Sequence, residues 1–396
     1  MIRFLFALLC LGSGLSLFGQ KSAFDFISVP TPENQENLPS DYLTASLNLE
    51  TLRNQLVQSP KEFTAKTGSQ VTLPLPNGEF AQFSVLTSNL IKGTSSSIAT
   101  KDLPTSYKVS GPWGNGRIAL SNQGITGLLR GPAGYFLIDR LDSTTSDSYL
   151  VTDFEGVLEV MGREPGTLTC GTSAEDLINP DANHKEDLLA EEMLFEQLSK
   201  SAGNEARPLL EYDLLMVATG EFSQAFGATV ETVMAEFNVA VNILSTLYEN
   251  ELGIRFNLSA SSESTIFIDP ATDPFTDPSS SPTILSQSRD AIESRNVPFA
   301  SYDIGHVFTR GCRDGIGGQA AFGSVCGPNK TRGVTCIRPG RSVAFMASST
   351  MAHELGHSFV AAHTWNRCDF SADQRSSGAA YEPGSGTTIM SYAGTC

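Results

Sequence analysis

The sequence predicts a mostly β unit over about residues 21–175, followed by an α/β unit over residues 208–396. Three observations carry this. Short alternating apolar runs, broken by turn residues, crowd the stretch from Val71 to Val151. From Tyr212 onward, apolar strand-like runs alternate with long stretches of helical period. Near the end, one helix-compatible run holds three of the chain's five histidines.

Met1 to Gln20 reads as a signal peptide. Arg3 supplies the positive start, Phe4 to Leu11 the apolar core, and Leu17-Phe18-Gly19-Gln20 a cleavage region. The apolar run is too short to span a bilayer, and Leu9 before Cys10 does not fit a lipoprotein site. The chain is therefore expected to be secreted, with no membrane span after signal removal. Residues 21–45 carry little pattern. Ser46 to Gln58 is an amphipathic helix with Leu49, Leu52 and Leu56 on one face. Val71–Leu75 and Phe80–Val85 flank Asn77-Gly78, a hairpin signal. Arg117–Leu120, Gly124–Leu129, Tyr135–Ile138 and Ser148–Val151 are further strands, with Gly131-Pro132-Ala133-Gly134 as a turn.

Residues 176–207 form a linker and activation region. Its polar start includes His184, Leu188–Ser199 is an acidic helix, and Ala202–Pro208 suits proteolysis. The second unit opens with a buried strand, Tyr212–Ala218. Thr229–Leu252 is a long helix with Val233, Phe237, Val241, Leu244 and Leu247 on one side, and Ile254–Leu258 is a strand. Asp269–Pro282 is a turn-rich loop, whose Asp269, Asp273 and Asp277 are either a Ca2+ site or simply solvated. Thr283–Glu293 is a helix, and Tyr302–Phe308 a strand whose His306 is expected to have no metal role. Residues 310–340 are rich in glycine and hold three cysteines, so they are expected to be irregular and stapled. Ser348 or Ser349 is expected to cap the helix that follows.

That helix carries His353-Glu354-Leu355-Gly356-His357-Ser358-Phe359-Val360-Ala361-Ala362-His363. Residues four apart lie one turn apart on one helix face, so His353 and His357 can reach one ion. Glu354, beside the first, can hold a water at that ion without being a ligand. On a continued helix, His363 would lie roughly 240° further round and about 9 Å further along than His357. The chain must leave the helix and turn back for the third imidazole to join. Three neutral imidazoles with one open position suit a catalytic rather than a structural Zn2+.

Thr387-Thr388-Ile389-Met390-Ser391-Tyr392 adds a methionine in a tight turn downstream. With these two motifs the chain resembles the metzincin metallopeptidases, and among them the bacterial reprolysin-like (adamalysin-related) proteins, over about Pro208 to Cys396. The resemblance implies an α/β (α+β) metzincin-like catalytic domain with a mixed sheet and an active-site helix, preceded by a mostly β prodomain. It further implies a zinc-dependent endopeptidase made as a latent precursor, acting on proteins or peptides and inhibited by its own prodomain. One Zn2+ would sit on His353, His357 and His363, with Glu354 as general base and Met390 as a floor beneath the metal. Tyr392 would be a switchable ligand or transition-state donor, or else a plain cleft-wall tyrosine. Cys170 would fill the open metal position as a latency switch, or else be an ordinary disulfide partner.

Two departures stand out. Val360 occupies the place of the family glycine that ends the helix; a positive φ there would strain a β-branched residue by roughly 1–2 kcal/mol unless the turn shifts onto Ala361 or Ala362. The chain also ends four residues after Tyr392, so the catalytic domain is expected to be truncated at its C-terminus. These support a rival expectation, a non-catalytic secreted binding protein that keeps the fold.

A net charge of -17 excludes an extended nucleic-acid interface. After the leader come Cys170, Cys312, Cys326, Cys336, Cys368 and Cys396. Export makes disulfides the default for these. The absence of CxxC spacing argues against a cysteine zinc site, and Cys368 with Cys396 is the pairing that would tie the loop after His363 to the methionine turn.

Overall fold

The computed structural model describes residues 22–27, 38–93, 97–99, 102–142, 145–162, 169–172, 208–369 and 374–393. The leader, His184, the Leu188–Ser199 helix and Cys396 lie outside the described residues. Among these residues no helix is long and apolar enough to cross a membrane.

The N-terminal half forms a nine-stranded antiparallel sheet. Its strands are β1 (Phe24–Phe26), β2 (Leu43–Leu47), β3 (Ser69–Pro74), β4 (Phe80–Ser88), β6 (Thr105–Gly111), β7 (Gly114–Ser121), β8 (Gly124–Gly131), β9 (Gly134–Asp142) and β10 (Thr145–Asp153). They lie in the order β1-β2-β10-β9-β8-β7-β6-β4-β3. The expected hairpin is β3 with β4, and the other four expected strands are β7 to β10. Helix α1 (Leu49–Leu56) starts later than its pattern suggests, because Leu43–Leu47 is a strand and Asn48 caps the helix by accepting from Thr51 N. Leu52 and Leu56 then plug a core that includes Phe24, Phe83, Ile118, Ile138 and Tyr149. Gly124 is required there: its φ is +123°, and a Cβ would come 2.1 Å from the Tyr149 hydroxyl.

The second sheet has seven strands in the order β11-β15-β16-β14-β12-β13-β5. Its centre is β12 (Leu210–Ala218), β13 (Ile254–Ser259), β14 (Ile304–Arg310), β15 (Ile316–Ala320) and β16 (Gly333–Ile337). All pairs are parallel except β15 with β16, so the sheet is mixed. The N-terminal half supplies both edges, β5 (Ile91–Lys92) and β11 (Thr169–Cys170). Residues 310–340 are thus not irregular throughout: β15 and β16 lie within them, and the staple is Cys312–Cys336. Glycine hid the strands, and it is required by packing: a Cβ on Gly318 would meet Glu354 Cγ at 2.7 Å, and one on Gly333 would meet His306 Nδ1 at 2.6 Å.

Successive residues of β12 point to opposite faces. Leu214, Met216 and Ala218 meet a long helix and the zinc-motif helix, while Leu215 and Val217 meet α5 (Ser281–Glu293). A short α3 (Gly220–Ala225) precedes that long helix, α4 (Val230–Leu252). α4 is delimited by a Thr229–Thr232 capping box and by Gly253 in the left-handed region. It lies between the two sheets. Its apolar side faces its own sheet, and a polar stripe faces the other: Glu231 accepts from Asn122 at 2.8 Å, Asn238 from Ser106 at 2.8 Å, and Glu249 from Arg117 at 2.7 Å. Arg140 pairs with Glu236 on the same side.

At one end of this stripe Arg117, Arg255 and Lys108 surround Glu62 and Glu249. Burial alone would raise the Glu62 carboxyl. Arg117, the Ser88 hydroxyl, Arg255 and Lys108 outweigh it and hold that carboxyl down at about 2. A depressed carboxyl stabilises the folded chain above its ordinary value of 4.5. That contribution is lost as pH falls through the folded value. Glu62→Gln is therefore expected to flatten the acid limb of the stability profile between about pH 4.5 and about pH 2, where this one carboxyl accounts for at most about 3 kcal/mol, less what solvent screens. Urea titrations across that range test this, and parallel profiles for the two proteins would contradict it.

Candidate metal centre

The histidine motif lies on a helix that starts earlier than expected. α6 (Val343–Met346) is capped by Ser342, which accepts from Phe345 N. It runs through a π turn (Ala347–Met351) into α7 (Ala352–Ser358). Ser348 and Ser349 are not caps; both hydroxyls donate back to Phe345 O, at 3.0 and 2.8 Å. Such back-bonding is available to any serine inside a helix, and spacing alone does not separate it from capping.

α7 ends in a Schellman-type turn. Ala361 N donates to Gly356 O at 2.9 Å and Val360 N to His357 O at 3.0 Å. Val360 itself holds the left-handed position, at φ +71°. The turn has not shifted onto Ala361 or Ala362. It sends the chain back so that the Nε2 atoms of His353, His357 and His363 all lie 3.1 Å apart.

Each ring is fixed from a different segment. His353 Nδ1 bonds Ile389 O, His357 Nδ1 bonds Ala361 O, and His363 Nδ1 bonds Gln374 O, each at 2.7 Å. A carbonyl only accepts, so each Nδ1 carries the proton and each Nε2 presents a bare lone pair. Burial pushes all three rings away from protonation, His353 down to about 3. Three neutral lone pairs aimed at one buried point repel one another unless a cation stands between them. Tetrahedral Zn–N bonds of about 2.0–2.1 Å put the nitrogens roughly 3.3 Å apart. The donor set therefore fits Zn2+.

The fourth donor is a thiol. β11 lies along β15, with Cys170 opposite Gly318 and Gly171 N donating to Gly318 O at 2.8 Å. Cys170 Sγ is 3.4 Å from His357 Nε2 and 3.4 Å from Glu354 Oε2. Among the described residues, Cys170, His353, His357 and His363 are the group whose ligand atoms gather, all within 4.8 Å. Cys170 is in no disulfide. Burial, and then the Glu354 carboxylate, push its thiol well up.

Glu354 is buried, Oε1 has no hydrogen-bond partner among the described residues, and burial raises its carboxyl to about 8. Gly318 makes room for it, since a Cβ there would lie 2.7 Å from Glu354 Cγ. Met390 Sδ packs where a Cβ on Gly356 would be, 2.2 Å away, so the glycine inside the histidine motif admits the methionine floor. Tyr392 is buried beside His363 and Trp365, with ring centroids 5.2 and 5.4 Å away. Its hydroxyl takes the Cys170 N–H at 3.1 Å and donates to Gln374 Oε1 at 2.5 Å. A cavity of about 100 Å³ opens beside His353 and Glu354, walled partly by Phe154, Leu158 and Met161 of α2 (Phe154–Gly162).

Two contributors escaped the sequence reading. Gln374 holds His363 and touches Tyr392. Glu382 ties the His363 segment to the methionine turn, accepting from Thr364 Oγ1, from Thr388 Oγ1 at 2.5 Å and from Thr387 N at 2.7 Å. Neither sits in a local motif, so no spacing signalled them.

Other expectations come out as follows. His306 is buried on β14 against Thr335 at 2.8 Å, away from the metal group. The calcium expectation is corrected: the aspartates each serve separate ends. Asp269 and Asp273 cap Ala271 N and Phe275 N, and Asp277 pairs with Arg313. Short polar loops use aspartate in this way without an ion. Cys368 is disulfide-bonded, while Cys396, its expected partner, lies outside the described residues.

Residues 210–396 match the profile of a family described as Metallo-peptidase family M12B Reprolysin-like. Among solved structures, the chain is similar to metalloproteinase-II from Bacteroides fragilis, at 11% identity and a TM-score of 0.44, over 82% of this chain and 89% of that one.

Val360→Gly removes a left-handed strain of about 1–2 kcal/mol and adds back about 0.5–1 kcal/mol of unfolded-state entropy. The side chain is 41% exposed, so little packing is lost. A net stabilisation of about 0.5–1 kcal/mol is expected in denaturant titration; a destabilised variant would show that the valine is not strained.

Proposed function

We propose, from the match of residues 210–396 to a family described as Metallo-peptidase family M12B Reprolysin-like, that the chain is the latent precursor of a secreted zinc endopeptidase. In this reading residues 1–20 are a signal peptide, 21–175 a prodomain, 176–207 a linker and activation region, and 208–396 the catalytic domain. The observation that carries it is the convergence of three lone-pair imidazole nitrogens and one thiol on a single buried point.

Zinc held by His353, His357 and His363 would supply Lewis acidity and a lowered water pKa, which no side chain here provides. The remaining work falls to the chain. Glu354 is the group suited to take a proton at its carboxylate and return it to the leaving amine, being adjacent to His353, buried and unpartnered at Oε1. The shelter around it keeps bulk water from competing for that proton.

Cys170 is the proposed latch. With its sulfur at the fourth position there is no room for water, and β11 covers β15 beside it. Thr172 N donates to the sulfur at 3.2 Å, and the Thr172 hydroxyl anchors the strand to Ala320 O at 2.9 Å. Activation then means withdrawal of this strand. Proteolysis within 176–207 suits that step, since the segment joins β11 to β12. The rival reading, a non-catalytic binding protein, draws on Val360. Its strained turn nevertheless brings His363 to 3.1 Å from both partners, which favours the enzyme.

Glu354→Ala is expected to keep one zinc per chain, by elemental analysis, and to lose about 10²–10⁴-fold in casein turnover. Undiminished turnover would remove Glu354 from the proton path. Cys170→Ala is expected to make the uncut chain measurably active and chelator-sensitive. If uncut Cys170→Ala and unsubstituted chains cleave at the same rate, the latch assignment is wrong.

A further inference from the structure

Cys170 is gripped from two sides. On the β15 side, the contacts go to Gly171: its N–H donates to Gly318 O at 2.8 Å, and its C=O accepts from Gln319 Nε2 at 2.9 Å. Neighbouring residues of an extended strand present their N–H and C=O to opposite sides. Cys170 therefore presents its own pair away from β15, where an unaccompanied strand would leave it unsatisfied.

Two side chains meet that pair. Tyr392 Oη accepts the Cys170 N–H at 3.1 Å, and Gln374 Nε2 donates to the Cys170 C=O. Tyr392 in turn donates to Gln374 Oε1 at 2.5 Å. The orientation of the amide follows from chemistry: the Cys170 carbonyl can only accept, so nitrogen must face it and oxygen must face the phenol. The phenol proton is then committed to Gln374, which leaves a lone pair for the incoming N–H. The result is a donor and an acceptor, locked together, that copy one residue of a neighbouring strand. Gln374 also supplies the carbonyl that holds His363 Nδ1, so this reader is built onto the metal centre itself.

We propose that Gln374 and Tyr392 form a two-point main-chain reader that recognises one residue of whatever extended peptide lies along β15 at the metal. In the latent chain that residue is Cys170. The ligand class it fits is a polypeptide in extended conformation with an unsubstituted N–H at the residue beside the metal, whatever its side chain. A proline or N-methylated residue in that register would leave the Tyr392 lone pair unmet. The proposal rests on the metallopeptidase reading only for what replaces the cysteine strand. Gln374 acts as a positioning residue toward Tyr392 and as a binding residue toward the peptide.

The test uses the full-length chain and a readout independent of turnover, the rate at which iodoacetamide alkylates Cys170, followed by peptide mass spectrometry. Gln374→Met keeps the volume and the main-chain bond to His363 but loses both amide contacts. Gln374→Glu keeps an acceptor for Tyr392 and loses the donor to Cys170. Tyr392→Phe loses the acceptor for the Cys170 N–H. Each lost hydrogen bond is expected to raise the alkylation rate about fivefold to tenfold. Exposed Cys326, alkylated in the same sample, should keep its rate. Unchanged Cys170 rates in Gln374→Met and Tyr392→Phe, with melting temperatures preserved, would overturn the proposal. So would a rise at Cys170 matched by an equal rise at Cys326, which reports general loosening. Were the unsubstituted chain to bind no zinc, the metallopeptidase reading would fall, while the ratio of alkylation rates would still decide this one.

Discussion

Three hydrogen bonds from imidazole Nδ1 to main-chain carbonyls govern the rest of this molecule. Each settles a tautomer and aims a lone pair, and each comes from a different stretch: the methionine turn, the reversal after α7, and the loop at Gln374. The Gly356–Met390 contact, the Glu382 tie between Thr364 and Thr388, and the turn at Val360 all keep those three carbonyls in register. A metal site built this way is preorganised by backbone rather than by side-chain contacts, which places its ligands with little freedom to drift.

Parts of this were legible in the sequence because they are local. A helix period shows one apolar face, and α4 also carries its start and stop signals at Thr229 and Gly253. A hairpin has its turn dipeptide, as at Asn77-Gly78. The two histidines four apart show their common face directly, and the need for a reversal before His363 followed from helix geometry alone. What stayed hidden is nonlocal. β15 and β16 are short, they lie in a glycine-rich stretch, and their strand character comes from the partners beside them. Gln374 acts through its main-chain carbonyl on His363 and through its side chain on Cys170, far back in the chain, and Glu382 acts through its carboxylate on Thr364. The start of the zinc-motif helix was misread because serine suits both a cap and a back-bonded interior position. The cluster of Arg117, Arg255, Lys108, Glu62 and Glu249 has no sequence spacing at all; it exists only once two sheets have closed on α4.

The N-terminal half does more than sit beside the second sheet. β5 extends one edge of that sheet and β11 extends the other. Open strand edges are templates for unwanted pairing, and here both are closed by pieces of the same chain. Both pieces are two residues long, and the one next to the histidines is held by side chains as well as by strand pairing, since β11 depends on Gly318, Gln319, Tyr392 and Gln374 for its main-chain partners.

The polar stripe along α4 has a bearing on what becomes of that helix when it stands alone. Most helices wedged between two sheets are oily on all sides and would precipitate if either cover were lifted. This one shows asparagine and glutamate to its second cover, and each has a water molecule as a ready substitute for the serine, arginine or asparagine it now meets. Parting the halves would hand that stripe to water, but it would also strip the cover from Leu128, Leu137, Leu150 and the α4 residues that share their apolar cluster.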